Sequence, residues 1–106
     1  MSFDQKNKVI NKLLSGFIQV HIMRHAHKGE LYGAWLIEHL QSHGYTLSPG
    51  TIYPLLKRME GDRLLTVSNK TVNGRIRKMY RTTPLGDKAL SEAEIKIKEL
   101  SKNYSL

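Results

Sequence analysis

Residues 64–82 hold two short apolar runs with β character, separated by Asn73-Gly74. That dipeptide accepts positive φ at both positions and marks a hairpin reversal. Leu64-Leu65-Thr66-Val67-Ser68 is expected as the first strand, Lys70-Thr71-Val72-Asn73-Gly74 as the loop, and Arg75 to Thr82 as the return strand. On the return strand Ile76, Lys78, Tyr80 and Thr82 share one face, and Arg75, Arg77, Met79 and Arg81 share the other. One face is therefore strongly cationic. A chain of 106 residues has room for one compact domain and one extra element, not for two separate cores.

Everything around the hairpin reads as helix. From Gln5 to His27, apolar residues at Val9, Ile10, Leu13, Leu14, Phe17, Ile18, Ile22 and Met23 recur at steps of three and four, with Val20 and Ala26 widening the face. So broad a stripe suits a helix that covers its own core and a second surface. Lys28-Gly29 supplies the stop. A second helix is expected from Leu31 to His43 and ends at Gly44. Tyr45-Thr46-Leu47 is the turn. Ser48 then has the side chain of an N-cap and Pro49 the ring of a first helical residue. Pro54 complicates that start, because a proline in a helix interior removes a backbone bond. Either the third helix begins nearer Thr51 or it bends at its entrance, and the sequence does not choose. Ile52, Leu55, Leu56 and Met59 face inward on both accounts, and Asp62-Arg63 closes the helix.

Thr83-Pro84 opens the last helix, with Thr83 as cap. Leu90, Ala93, Ile97, Leu100 and Tyr104 follow at heptad spacing. Two heptads do not hold as a lone helix in water, so this seam must dock. The partners available are the first helix of the same chain and the same elements of a second chain. A two-fold dimer is favoured, being the commonest arrangement of soluble oligomers.

Charge narrows the function. The net charge is +8, and residues 57–81 hold eight Lys/Arg against Glu60 and Asp62. Residues 82–106 are balanced, so most of the excess sits on the third helix and the hairpin. A solubility device has no reason to concentrate there, whereas phosphate backbones attract localised positive charge through counterion release. With no cysteine, disulfides and thiolate metal sites are excluded, and a reducing cytoplasm is the expected setting. No apolar run approaches a membrane span, and Met1-Ser2-Phe3-Asp4-Gln5-Lys6 lacks the order of a signal peptide. No phosphate loop, nucleophile elbow or triad spacing is present, so no enzyme is expected.

A helix able to enter a groove, followed by a basic hairpin able to lie beside it, is the build of a winged helix-turn-helix. The expected fold class is mainly α with a small β-hairpin: a winged helix-turn-helix over 1–83 and a C-terminal dimerisation helix over 84–106. The expected partner is double-stranded DNA. A winged module that binds a protein instead of an operator is the alternative, since fold does not fix function.

These residues resemble the PadR family of transcriptional regulators, named for the phenolic acid decarboxylase repressor. The resemblance covers about Leu13 to Gly86. It rests on Tyr32-Gly33, on Gly50-Thr51-Ile52-Tyr53-Pro54-Leu55-Leu56-Lys57-Arg58-Met59-Glu60, and on Gly74-Arg75, Tyr80-Arg81 and Thr83-Pro84-Leu85-Gly86. The single helix after Gly86 is similar to the smaller subfamily. The resemblance implies a homodimer on a near-palindromic operator, usually as a repressor, with the first and last helices forming the dimer contact. Leu13, Phe17, Leu90, Ala93, Ile97, Leu100 and Tyr104 are the expected interface. Multidrug-responsive relatives bind flat aromatic ligands between subunits through a tryptophan of the last helix. Here that helix carries Tyr104 and no tryptophan, which leaves a small-molecule effector at the dimer interface without that residue.

The expected DNA face is Ser48, Thr51, Tyr53 and Lys57 on the third helix with Arg75, Arg77 and Lys78 on the wing. Lys70 is a weaker candidate. Each has a structural alternative: Ser48 as a pure cap, Tyr53 as a core aromatic, the wing cations as protection of a strand edge. Trp35, the only tryptophan, is expected in the core or an interface. The histidines form two i,i+4 pairs, His21/His25 and His39/His43, with His27 nearby. Such a pair can share a metal, but two imidazoles alone make an open site and no third ligand is visible. Titratable surface or interface histidines, with no metal and no cofactor, are therefore expected.

Overall fold

The computed structural model describes residues 3–105, with side chains from 7 to 105. Met1-Ser2, the start of the terminus read above for a signal peptide, lies outside the described residues. The order is α1 (Phe3–Lys28), α2 (Gly33–Ser42), α3 (Pro49–Gly61), β1 (Leu65–Val72), β2 (Arg75–Thr82) and α4 (Pro84–Asn103). This is the mainly helical winged fold expected from the sequence. Among the described residues no helix is long and apolar enough to cross a membrane.

Apolar periodicity places the core. Ile18, Ile22, Met23 and Ala26 of α1 pack against Leu36 and Leu40 of α2, Ile52, Leu56 and Met59 of α3, and Leu65, Tyr80 and Leu90. Fully burying side chains of this size stabilises by about 1.5–3 kcal/mol each. The other half of the α1 stripe stays outside: Val9, Ile10, Leu13, Leu14 and Phe17 are all exposed. Among the described residues this helix thus has a core face and an uncovered apolar face, as its width required.

Three boundaries differ from the sequence reading. Leu31 is not helical. Its N–H donates to the Tyr80 carbonyl at 3.0 Å and its carbonyl accepts from the Tyr80 N–H at 2.7 Å, a one-residue bridge to β2. It fixes the chain entering α2, which begins only at Gly33. The loop of the hairpin is also shorter than expected. β1 continues through Val72, paired with Arg75, and only Asn73 (φ 51°) and Gly74 (φ 80°) make the turn. Both angles are positive, as a type I′ turn requires. Finally, α3 starts at Pro49 with Pro54 inside it, so the later start at Thr51 is not adopted. The Ser48 carbonyl accepts the first bonds, from Thr51 N–H and Ile52 N–H.

α3 ends in a Schellman motif. Leu64 N–H donates to the Met59 carbonyl and Arg63 N–H to the Glu60 carbonyl, both at 2.9 Å. The residue in the left-handed conformation is Arg63, φ 63°, where glycine is usual. The same turn anchors α4. The Thr83 hydroxyl donates to the Arg63 carbonyl at 2.5 Å and caps α4 by accepting from Gly86 N–H at 3.0 Å. Asp87, in the first turn of α4, accepts from the Thr82 hydroxyl at 2.5 Å and pairs with His27 at 2.8 Å. The Thr82 bond, then the His27 bond, hold its carboxyl below the usual range, and a negative charge suits a helix N-terminus.

These caps can be tested by substitution. Arg63→Gly removes a left-handed cost of about 1 kcal/mol, partly offset by the freer unfolded chain. Its Tm should rise by a few degrees in calorimetry; an unchanged or lower value removes strain as a feature of this turn. For Asp87, a carboxylate with a lower pKa folded than unfolded binds fewer protons when folded. Its contribution is complete above the unfolded value and is lost as pH falls through the folded one. The Tm gap between wild type and Asp87→Asn should therefore be widest near neutral pH and narrow as pH falls below the ordinary aspartate value of about 4. A gap independent of pH would exclude this linkage.

Candidate nucleic-acid interface

The exposed side of α3 and the wing meet in an open cleft of about 730 Å³. Tyr53 and Lys57 line it from α3, and Arg77 and Lys78 from β2, with Tyr32 at its base. Four of the seven residues assigned to the DNA face are thus brought together. Arg75 lies exposed at the wing tip beside the turn. Ser48 and Thr51 are exposed at the N-terminus of α3, outside the cleft.

Local packing sets how free each side chain is. Ser48 makes no side-chain cap bond; its Oγ lies 3.4 Å from Thr51 Oγ1. The pair of hydroxyls remains available at a helix N-terminus, where N–H groups favour anions. Tyr53 is 45% exposed, so it is not a core aromatic. Its ring lies directly over Gly33, where an added Cβ would overlap the ring carbons. Glycine at the start of α2 therefore lets α3 carry a tyrosine at this point.

The wing cations divide into two kinds. Arg77 is half-buried, with its guanidinium 4.8 Å from the centre of the Tyr32 ring and a buried Nε lacking a hydrogen-bond partner. A cation over an aromatic face gains about 0.5–2 kcal/mol and is held in one direction. Arg75 and Lys78 are exposed, and among the described residues neither has a salt-bridge partner. Lys57 is likewise exposed and unpaired among them. Lys70 is engaged, 2.7 Å from Glu30, and braces the wing against the segment before α2. Met79, on the same strand face as Arg75, Arg77 and Arg81, is buried. Tyr32 is a site residue that the sequence reading does not single out, although its neighbour Gly33 and the arginines of the wing bracket its role.

A second feature lies between α1 and α4. Leu13 and Phe17 of α1 face Ile97, Leu100 and Tyr104 at the end of α4 across an apolar groove of about 620 Å³. Leu13, Leu100 and Tyr104 are 62%, 55% and 77% exposed. Two residues of the expected seam behave differently: Leu90 is buried in the chain's own core, and Ala93 lies outside the groove.

The histidines depart from the sequence reading. α1 and α2 cross so that His39 meets the first pair, and His21, His25 and His39 converge; a third imidazole is present after all. Trp35 is not in the core. Its ring stacks on His39 at 4.8 Å and stands edge-on to His25 at 5.6 Å.

Comparison with known proteins agrees with this geometry. Residues 22–92 match the family model described as the transcriptional regulator PadR-like family. The chain is 46% identical over 85 residues to the transcriptional regulator Rv3488 of Mycobacterium tuberculosis, covering 80% of this chain and 79% of that one. It superposes on a PadR-like transcriptional regulator from Bacillus cereus with a TM-score of 0.76 at 32% identity, over 92% of this chain and 93% of the other. A PadR family regulator from Eggerthella lenta matches with a TM-score of 0.79 at 27% identity, over 96% and 90%. The chain belongs to the PadR-like family of transcriptional regulators.

Proposed function

We propose that the chain is a sequence-specific DNA-binding regulator that acts as a homodimer, most simply as a repressor on a near-palindromic operator in the cytoplasm. The observation that carries this reading is the cleft where Tyr53 and Lys57 of α3 face Arg77 and Lys78 of the wing. α3 enters the major groove, with Ser48 and Thr51 near phosphate or base edges at its N-terminus. The wing lies along the backbone, and Arg75 beside the tight turn reaches the minor groove. Paired protomers present two reading helices about 34 Å apart.

The dimer reading is supported by the groove between α1 and α4, whose exposed apolar side chains have no cover among the described residues. A small-molecule effector at that interface would act by changing the angle between protomers and so the spacing of the reading helices. The decisive experiment is selection of bound fragments from a random DNA pool. A two-fold symmetric motif supports the proposal. Weak, salt-sensitive binding without a motif would point to an interaction module instead.

Two variants test the parts. Arg75→Gln/Lys78→Gln should weaken binding to every sequence and reduce the slope of log affinity against log salt by roughly 0.9 for each phosphate that is no longer neutralised. Its Tm should match wild type, since both residues are exposed. An unchanged salt slope would show that the wing tip does not touch DNA. Leu100→Glu places a charge in the α1–α4 groove at an exposed position. It should sediment as a folded monomer with normal helical circular dichroism and lose operator affinity at least tenfold. A variant that still sediments as a dimer would remove this groove from the interface.

A further inference from the structure

His21 and His25 stand one turn apart on α1, and His39 reaches them from α2. Their Nε2 atoms form a triangle with sides of 3.1 Å (His21–His25), 3.0 Å (His25–His39) and 3.3 Å (His21–His39). All three sides are hydrogen-bond distances, yet they cannot all be hydrogen bonds. A neutral imidazole nitrogen either carries a proton or offers a lone pair, never both. Among three mutually touching nitrogens, at least two must be of the same kind. Every choice of tautomers leaves one contact between two lone pairs or between two N–H groups. Protonation does not relieve it, because it sets positive charges against one another.

A cation at the centre relieves it completely. Three deprotonated Nε2 atoms would each direct a lone pair at one ion. Two imidazole nitrogens on a tetrahedral Zn2+, each about 2.05 Å away, lie roughly 3.3 Å apart. The observed triangle is close to that face without rearrangement of either helix. Burial, then the charge of neighbouring imidazoles, lowers the basicity of His21 and His39, and that of His25 to about 4.

We propose that His21, His25 and His39 bind one first-row divalent transition-metal ion of the zinc class in each chain. The donor set selects the ion. Imidazole suits Zn2+, Ni2+ and Cu2+, whereas Ca2+ and Mg2+ demand oxygen ligands. Three protein ligands leave a fourth position for water, and His43 lies next to the trio with its ring 4.3 Å from that of His39. No carboxylate belongs to the trio, and Arg24 and Lys28 are nearby cations, so binding should be weaker than at a thiolate site. Trp35, stacked on His39, is a built-in reporter. The ion would join α1 to α2 directly. This inference does not depend on the DNA reading.

The test uses untagged full-length protein freed of metal with a chelator and dialysed at pH 7.5. Titration with zinc chloride in a calorimeter should give one ion per chain and raise Tm. Copper(II) chloride, an open-shell ion, should quench Trp35 fluorescence saturably at the same stoichiometry. His25→Leu and His39→Leu should each weaken Zn2+ binding at least tenfold and abolish the Tm rise. Because the metal-free trio is frustrated, the metal-free Tm of His25→Leu should equal or exceed that of wild type. His27→Ala, outside the trio, should bind as wild type does. Absence of saturable Zn2+ or Cu2+ binding below about 100 μM, or undiminished binding by both Leu variants, would overturn the site.

Discussion

A two-stranded hairpin alone has too little apolar surface to hold itself in water, so the position of every wing cation depends on what fastens the hairpin down. Here the fastening is made of backbone. Leu31 and Tyr80 exchange two hydrogen bonds, giving β2 a second neighbour and burying the Tyr80 ring in the helical core. At the far end Thr83 N–H donates to the Leu64 carbonyl, and the Thr83 hydroxyl ties the same junction to the turn after α3. The wing is thus clamped at its root mainly by backbone bonds, which do not vary with side-chain rotamer. Its tip, beyond Lys70, is left exposed.

That division of rigid root and open tip explains why the cations differ. Arg77 lies above the clamp and against Tyr32, so its guanidinium is presented in a fixed direction. Arg75 lies at the tip, where little constrains it. A fixed arginine suits recognition of one local shape, and a free one suits the averaged attraction of a phosphate chain. The Lys70–Glu30 pair contributes little energy at its exposure; its consequence is to withdraw one cation from the surface that faces outward.

Elements whose signal is local can be read from the sequence. Thr83-Pro84 and Asn73-Gly74 fix backbone geometry within a few residues, and each falls where expected; Ser48-Pro49 opens α3, the earlier of the two starts that the sequence left open. The far half of β1 cannot be read in this way. Asn69, Lys70 and Thr71 are solvent-exposed, so no alternation of apolar and polar residues marks them as strand; pairing with β2 alone makes them so. Leu31 reads as helix because it continues an apolar pattern, while its actual partner, Tyr80, lies far along the chain. The third imidazole is invisible for the same reason: a spacing of four reveals a pair on one helix, and only the crossing of α1 with α2 adds a member from another. Trp35 follows His39 out of the core. Its bulk argues for burial, but it sits on the face of α2 that meets the imidazoles.

α1 carries these results together, because its surface is divided into rows. Ile18, Ile22 and Ala26, each four residues apart, enter the core. His21 and His25 form the adjacent row and meet α2. Leu13 and Phe17 continue that same row toward the N-terminus and border the groove with α4. Rows on an α-helix are fixed to one another at 3.6 residues per turn, so rotation that improves one contact displaces the other two. Packed interiors resist such compromise and settle into discrete arrangements. The broad apolar stripe that first marked this helix is therefore the trace of two separate contacts, and the second row ends in two imidazoles that neither hydrophobicity nor helical propensity required.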